Sequence, residues 1–375
     1  MLREVFISGT NCITPIGFDV AANIDNIVNG ISGIEKHENN LMQNPYYAAV
    51  IRDSEVNTAF AKIASEDNYT KLEKLMILAL YPIVSQAKSD FGVKTAFLLS
   101  TTKGNITALQ DSNIENAQLT TLAKTVAGFF GFKAESIVVS NACVSGILAV
   151  SIAKRLIQAN VYDEAFIVSG DLVSEFVLSG FNSFQAMSDL PCKPYSKNRT
   201  GVSLGEATAA VLMTSDKKNA KVKILGDGSI NDANHISGPS RTGEGLFRSI
   251  ESALKEANVK PNQVDYISAH GTATPFNDEM EAIAFNRLEM GNVPVNSLKG
   301  YYGHTLGASG LLETVIGIES VLRNRLFVSL GFDEIGVSQP INVISKNEDK
   351  EINYFLKTAS GFGGCNTAVL FEKVK

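Results

Sequence analysis

Hydrophobic residues follow two alternating rhythms along this chain. Short apolar runs rich in β-branched residues fill 3–9, 93–99, 135–140, 164–170, 207–214, 221–227, 264–269, 293–296, 351–359 and 367–373, and these are expected to be strands. Between them, apolar side chains return every three or four positions over 20–29, 69–89, 117–130, 147–157, 243–258, 278–287 and 306–323, which predicts helices. In the second of these, Leu72, Leu75, Met76, Leu78, Ala79, Ile83 and Ala87 keep helical spacing. The stretch 31–68 reads as polar and irregular, with a short helix near 58–65, and 189–205 reads as a loop. Strands alternating with helices argue for an α/β architecture with mainly parallel sheets. The order β-α-β-α-β-α-β-β in 1–215 roughly returns in 216–375, so two similar halves are expected.

Composition narrows the picture without naming a chemistry. The 375 residues are 45% hydrophobic and 19% charged, ordinary for a globular chain large enough to bury a sizeable core. A formal charge of −6 argues against general nucleic-acid binding. No uncharged apolar run reaches membrane-spanning length, and no leader is expected, because the strand pattern begins at once. Cys12, Cys143, Cys192 and Cys365 are scattered and form no Cys-x-x-Cys pair. That favours reduced thiols in a cytoplasm over a disulfide frame or a metal site.

Candidate chemistry sits where predicted strands end. Cys143, in Asn141-Ala142-Cys143-Val144-Ser145-Gly146, falls between a strand and a helix, where helix N–H groups and the helix dipole are expected to lower a thiol's pKa. His270 closes a predicted strand inside Ser268-Ala269-His270-Gly271-Thr272. His304 stands at another strand-to-helix junction, five residues after Lys299. The lysine and the helix terminus would both disfavour an imidazolium there, and a neutral imidazole can donate one hydrogen bond to a developing oxyanion. Ser360-Gly361-Phe362-Gly363-Gly364 is a glycine-rich turn able to present backbone N–H groups. Each has a plainer reading: a buried structural cysteine, satisfied core histidines, a solvated lysine, a simple hairpin. What separates the readings is that all fall at predicted strand ends, flanked by small residues.

Taken together, these segments resemble the β-ketoacyl-acyl carrier protein synthases, condensing enzymes of the thiolase superfamily. Asn-Ala-Cys-Val-Ser-Gly is similar to the family's nucleophile motif and Ala269-His270-Gly271-Thr272-Ala273-Thr274-Pro275 to its first histidine motif. Lys299 to Gly310 is similar to its Lys-x-x-x-Gly-His-x-x-Gly-Ala-x-Gly motif, and Gly361-Phe362-Gly363-Gly364 to its C-terminal turn. The resemblance covers nearly the whole chain. It implies a thiolase-like α/β fold of two halves, 1–215 and 216–375, with five-stranded mainly parallel or mixed sheets stacked in α-β-α-β-α layers. It also implies a decarboxylative Claisen condensation, in fatty acid or polyketide and polyene-type synthesis. In it, Cys143 takes an acyl chain from the phosphopantetheine arm of an acyl carrier protein. His270 and His304 stabilise the enolate formed from malonyl-carrier protein. Lys299 orients His304 and is paired by Glu313. The amides of Cys143 and Phe362 form an oxyanion hole, with Phe362 and Gly363 at the gate. No bound cofactor or metal is implied.

The partners implied are the carrier protein and a second ketosynthase-like subunit, as homodimer or heterodimer. Because carrier proteins are acidic, Lys71, Lys74, Lys193, Lys197 and Arg199 are candidate docking cations. The segment 101–140 is shorter than is typical of the family, which suggests a secondary pathway such as pigment synthesis. Two rivals carry the same fold: a non-catalytic chain-length-factor partner, which usually lacks the nucleophile, and a degradative thiolase, for which Cys365 would be the second cysteine.

Overall fold

A computed structural model of the chain describes residues 2–39, 41–65, 68–87, 89–233 and 238–374. Its frame is one hydrogen-bonded ladder of eleven strands made of two similar arrays. The first comprises β1 (Phe6–Ile13), β2 (Thr95–Ser100), β3 (Ile137–Val139), β4 (Glu164–Asp171) and β5 (Ala207–Thr214), in the order β3-β2-β4-β5-β1. The second comprises β6 (Val222–Asn231), β7 (Tyr266–Ser268), β8 (Pro294–Asn296), β9 (Asn342–Val343), β10 (Tyr354–Gly361) and β11 (Cys365–Lys373), in the order β9-β8-β7-β10-β11-β6. In each array three strands, β3-β2-β4 or β8-β7-β10, run parallel, and two antiparallel strands follow. Relative to the expected pair of five-stranded sheets, there are two additions. The two-residue β9 extends the second array, and a short β1–β6 pairing, Phe6 with Lys223 and Ile7 with Val222, joins the arrays edge to edge.

Seven helices matter for the site: α1 (Lys71–Gln86), α2 (Leu119–Phe130), α3 (Ser145–Gln158), α4 (Glu175–Ser183), α5 (Glu244–Ala257), α6 (Pro275–Arg287) and α7 (Ser309–Arg323). The central helices α3 and α7 pack on each other between the arrays. Their Ile147, Val150, Leu311 and Val315 share one core with Leu98 and Ile167 of the first array and Phe355 and Val369 of the second. Outside the first array, α1 and α2 cover Phe97, Leu99, Phe166 and Val168. Outside the second, α5 and α6 cover Ile267, Leu356 and Leu370. These three cores make the expected α-β-α-β-α layering. Strands buried on both faces also explain why the strand sequences are nearly continuous apolar runs.

Most expected elements are present within a few residues, with three differences. The 31–68 stretch is not irregular. It holds the strand pair Ile34–His37 and Tyr46–Ala49, which joins Leu204–Gly205 in a small sheet, and the helix Asp53–Phe60 in place of one near 58–65. Helix α4 carries no strong periodic signal and was not expected. Helix α1 starts at Lys71 under a reciprocal capping box, Thr70 with Glu73, and ends at Gln86 rather than 89; residue 88 lies outside the described residues.

Candidate active site

Between β3 and α3 the chain turns sharply. Ala142 adopts φ 44°, a left-handed conformation that a residue with a Cβ rarely takes. One hydroxyl clamps this turn: Ser145 Oγ accepts from Asn141 N at 2.8 Å and donates to Ala142 O at 2.6 Å. Cys143 stands at its tip, two residues ahead of α3, and lines the pocket described below.

Two glycines bring a histidine to the sulfur. A Cβ on Gly146 would stand 2.7 Å from Leu311 N, and one on Gly310 would stand 2.6 Å from Ile147 N. Their absence lets α3 and α7 meet backbone to backbone at their N-terminal ends. His304 lies just before α7, and its Nε2 reaches Cys143 Sγ at 3.1 Å. Its backbone is held on the other side by Ser203 O (2.7 Å) and Gly205 N (3.0 Å), and its Nδ1 meets Ser309 Oγ at 3.0 Å.

His270 arrives from β7. Glu281 on α6 accepts from the N–H groups of His270 (2.8 Å) and Gly271 (2.7 Å) and from Tyr195 Oη (3.0 Å), so one carboxylate fixes the turn. From behind, Lys299 Nζ donates to His270 O at 2.5 Å and to Glu313 at 2.7 Å. Lys357 Nζ donates to Ser268 O (3.1 Å), Ala269 O (3.2 Å) and the other oxygen of Glu313 (2.5 Å). Two buried lysines thus share one buried glutamate and grip three successive carbonyls. The imidazoles of His270 and His304 end edge-on, with centroids 5.1 Å apart at 85°. Cys143 Sγ and one nitrogen of each ring all lie within 4.8 Å of one another.

Burial decides the protonation states. Desolvation, with Lys299 next, holds both imidazoles well below the usual histidine range; His304 adds to the effect on His270, and Lys357 acts on both. Both rings are therefore neutral at pH 7, as the sequence argument expected for His304. The thiol corrects that argument. Burial pushes Cys143 up to about 12, outweighing the attraction of Lys299 and Lys103, so the resting group is a neutral thiol rather than a thiolate. Burial is the largest cause and acts opposite to the expected effect of the helix terminus. A thiol and two imidazoles are also metal-ligand types, but the lysine cations behind the rings oppose a dication there.

The trio lines a pocket of about 270 Å³, with Thr272, Thr274, Phe181, Phe276 and Phe362 among its walls. The glycine-rich turn is the tip of the β10–β11 hairpin, and Gly363 (φ 85°) and Gly364 (φ 79°) supply its left-handed corner. It touches the nucleophile's backbone: a Cβ on Gly361 would lie 3.0 Å from Cys143 N and 3.2 Å from Ala142 Cβ. The Phe362 ring packs between Phe181 (5.4 Å) and Phe184 (5.2 Å), and Phe181 in turn meets the His304 ring edge-on at 6.2 Å.

Several expected assignments move. Lys299 hydrogen-bonds to the His270 carbonyl and Glu313, while the hydrogen bond that orients the His304 ring comes from Ser309, a residue the sequence reading passed over. Lys357 was missed too; a lysine inside the apolar run Tyr-Phe-Leu-Lys-Thr-Ala-Ser is the signal that marked it. Among the docking cations, Lys71 is taken up by Asp53, Glu206 and Ile51 O, and Lys74 is buried against Asn57 and the Phe60 ring. Arg199 is 7% exposed and bound to Asp278 and backbone carbonyls. None of these three is free for a partner, because each helps fasten one element to another. Lys197 is exposed and paired with Glu334, and Lys193 is half-buried and paired with Asp333. Cys365 is buried beneath the hairpin, its thiol pushed up to about 11 by burial.

Residues 2–219 match the beta-ketoacyl synthase N-terminal domain and 222–332 its C-terminal domain. The chain is 26% identical over 412 aligned positions to 3-oxoacyl-[acyl-carrier-protein] synthase 2 of Staphylococcus aureus, covering 99% of this chain and 98% of that one. It is 26% identical to a putative mitochondrial 3-oxoacyl-[acyl-carrier-protein] synthase of Schizosaccharomyces pombe, covering 99% of each. Its fold matches a chain of the ketosynthase–chain length factor complex of Xenorhabdus doucetiae with a TM-score of 0.88 at 24% identity, covering 99% and 98% of the two chains. It matches a beta-ketoacyl synthase of Burkholderia phymatum at 0.86 and 22%, covering 100% of each.

Proposed function

The chain belongs to the β-ketoacyl synthase family and is a condensing acyltransferase, and on that premise we propose how its residues divide the reaction. Supporting the division is the convergence of Cys143 Sγ, His270 and His304 within 4.8 Å at a pocket. The halves 1–215 and 216–375 share the work, the first supplying the nucleophile and the second both imidazoles. Substrates ride on the phosphopantetheine of an acyl carrier protein, whose acidic surface Lys193 and Lys197 face. The protein works in the cytoplasm, as a dimer with itself or with a related subunit. Among the described residues no helix is long and apolar enough to cross a membrane.

In the first half-reaction the Cys143 thiol gives its proton to His304 Nε2 as sulfur attacks the acyl thioester. The tetrahedral oxyanion is held by the N–H groups of Cys143 and Phe362, and one such donor is worth about 3 kcal/mol. The pantetheine sulfur leaves with the bond's electron pair and takes the proton back from the imidazolium, leaving acyl-Cys143. In the second, the malonyl carboxylate leaves as carbon dioxide and its bonding pair moves into the thioester as an enolate. N–H groups of His270 and His304 hold the enolate oxygen. The enolate carbon attacks acyl-Cys143. The carbon–sulfur bond breaks with its pair on sulfur, and a solvent proton restores the thiol. Lys299, Lys357 and Glu313 hold His270 in place, while burial and the two lysine charges keep the rings neutral, hence able to serve.

A non-catalytic partner subunit is the less favoured reading, since nucleophile and both imidazoles are present and in contact. The test is intact-mass analysis after mixing with acyl-carrier protein, together with carbon dioxide release from malonyl-carrier protein. An acyl adduct that Cys143→Ala abolishes, and decarboxylation that His270→Ala and His304→Ala abolish, are expected. No adduct on the unaltered protein would overturn the assignment.

A further inference from the structure

A trans peptide unit is flat, so its carbonyl and its N–H point to opposite sides. The unit between Ala142 and Cys143 therefore aims the Cys143 N–H wherever the Ala142 carbonyl does not go. That carbonyl is taken by Ser145, the first residue of α3, whose hydroxyl donates to it at 2.6 Å and whose backbone N–H donates at 3.3 Å. The same hydroxyl accepts from Asn141 N at 2.8 Å, so it grips the turn on both sides of Ala142. Ser145 is fully buried, and solvent does not compete for either bond. The other side of the unit, which carries the Cys143 N–H, lies against the hairpin tip, where a Cβ on Gly361 would stand 3.0 Å from Cys143 N. Ala142 is held at φ 44°, a conformation that a residue with a Cβ leaves unless its surroundings retain it.

We propose that Ser145 is a positioning residue that aims the Cys143 N–H into the oxyanion hole. A hydroxyl suits the place, because it donates and accepts at once. Without it, Ala142 relaxes toward negative φ, the peptide unit turns, and the N–H swings out of the hole while the thiol stays on the same Cα. The steps of the reaction feel this differently. Acylation, and the later attack on acyl-Cys143, both put negative charge on the oxygen of the carbon bound to that sulfur, where the N–H acts. Decarboxylation puts its charge on the malonyl thioester oxygen, which the imidazoles hold. Ser145 therefore bears on both acyl-transfer steps and not on the loss of carbon dioxide.

This role rests on the acyl-transfer reading above, and the test separates the two. Ser145→Ala should slow single-turnover acyl transfer to Cys143, read by intact mass, by about ten- to a hundredfold. Carbon dioxide release from malonyl-carrier protein should stay within about threefold, and so should alkylation of Cys143 by iodoacetamide, which passes through no tetrahedral oxyanion. Adding Ala142→Gly should return about threefold or more of the lost rate, since glycine takes the left-handed conformation without strain. Equal slowing of all three reactions, acylation within about threefold of the unaltered protein, or no gain from Ala142→Gly overturns the proposal. Should Ser145→Ala not fold, Ser145→Cys, whose thiol is a weaker donor, must still lower acylation relative to alkylation mapped to Cys143, and an unchanged ratio overturns it. If Cys143→Ala still takes up an acyl group, the reading of the site itself falls, whatever the variants at 145 do.

Discussion

The contact between the hairpin tip and the nucleophile turn makes Gly361→Ala a sharp test of the oxyanion hole. Gly361 has an ordinary φ, so the added methyl acts through space alone. It would stand 2.9 Å from Cys365 Sγ, 3.0 Å from Cys143 N and 3.2 Å from Ala142 Cβ, where comfortable contacts begin near 3.5 Å. Clearing all three requires the tip, and the Phe362 N–H on it, to withdraw by about half an ångström. A displacement of that order in a positioned catalytic group costs between about tenfold and a hundredfold, or ~1.4–2.7 kcal/mol of transition-state stabilisation. Overpacking should also lower stability, by about 1–3 kcal/mol. The assay is the single-turnover rate of acyl transfer to Cys143 by intact mass, beside carbon dioxide release from malonyl-carrier protein. Acylation should fall by the stated factor while decarboxylation, which uses the imidazoles, changes less. Removing the nearest obstacle in Gly361→Ala/Cys365→Ala lets the methyl move away from Cys143 N, so the double variant should recover part of the rate. Acylation within twofold of the parent, or a double variant no better than the single, would refute the placement of the hole.

Other consequences follow from the same geometry. Because both imidazoles are held below the ordinary range near 6.5, decarboxylation should keep its rate as pH falls through 6.5, and a half-maximal point at or above that value would contradict the neutral-pair argument. Over the same window the unfolded chain binds protons that folded His270 and His304 refuse, so chemical-denaturation stability should decline as pH falls from about 6.5 toward the lowered folded values. Facing His270 are the charges of Lys299, Lys357, Glu313 and Glu281, with His304 and Cys143 beside it. Lys357→Met removes a cation and should move the acid limb of decarboxylation to higher pH, whereas Glu313→Gln removes the neutralising anion and should move it lower. Shifts in the same direction would rule out the electrostatic role. Elsewhere, Lys154 on α3 is fully buried against Asp227 of β6, a bridge between the two arrays. Lys154→Met leaves that carboxylate partly uncompensated and should cost about 3–5 kcal/mol by denaturant titration; a loss below 1 kcal/mol would show that exposed Arg155, which also binds Asp227, suffices.

The elements and the reactive side chains are legible in the order of residues alone. Near-continuous apolar runs marked β4, β5 and β10 as strands, and helical spacing marked α1 and α7, because those patterns express local burial. Cys143, His270 and His304 were legible because each sits in small residues at a strand end, where a side chain stays reachable. Helix α4 and the 34–49 strand pair were not legible, being short and held mainly by what they pack against. What the residues do to each other depends on packing between elements distant along the chain. The approach of α3 to α7 through Gly146 and Gly310 puts an imidazole on the sulfur, and no spacing along the chain records that distance. Lys357 and Lys299 became one device only when β10, the Lys299–Tyr302 helix and α7 met around Glu313. The thiol's resting state reversed the local expectation, because desolvation depends on everything packed around a group and the helix dipole on its own segment alone.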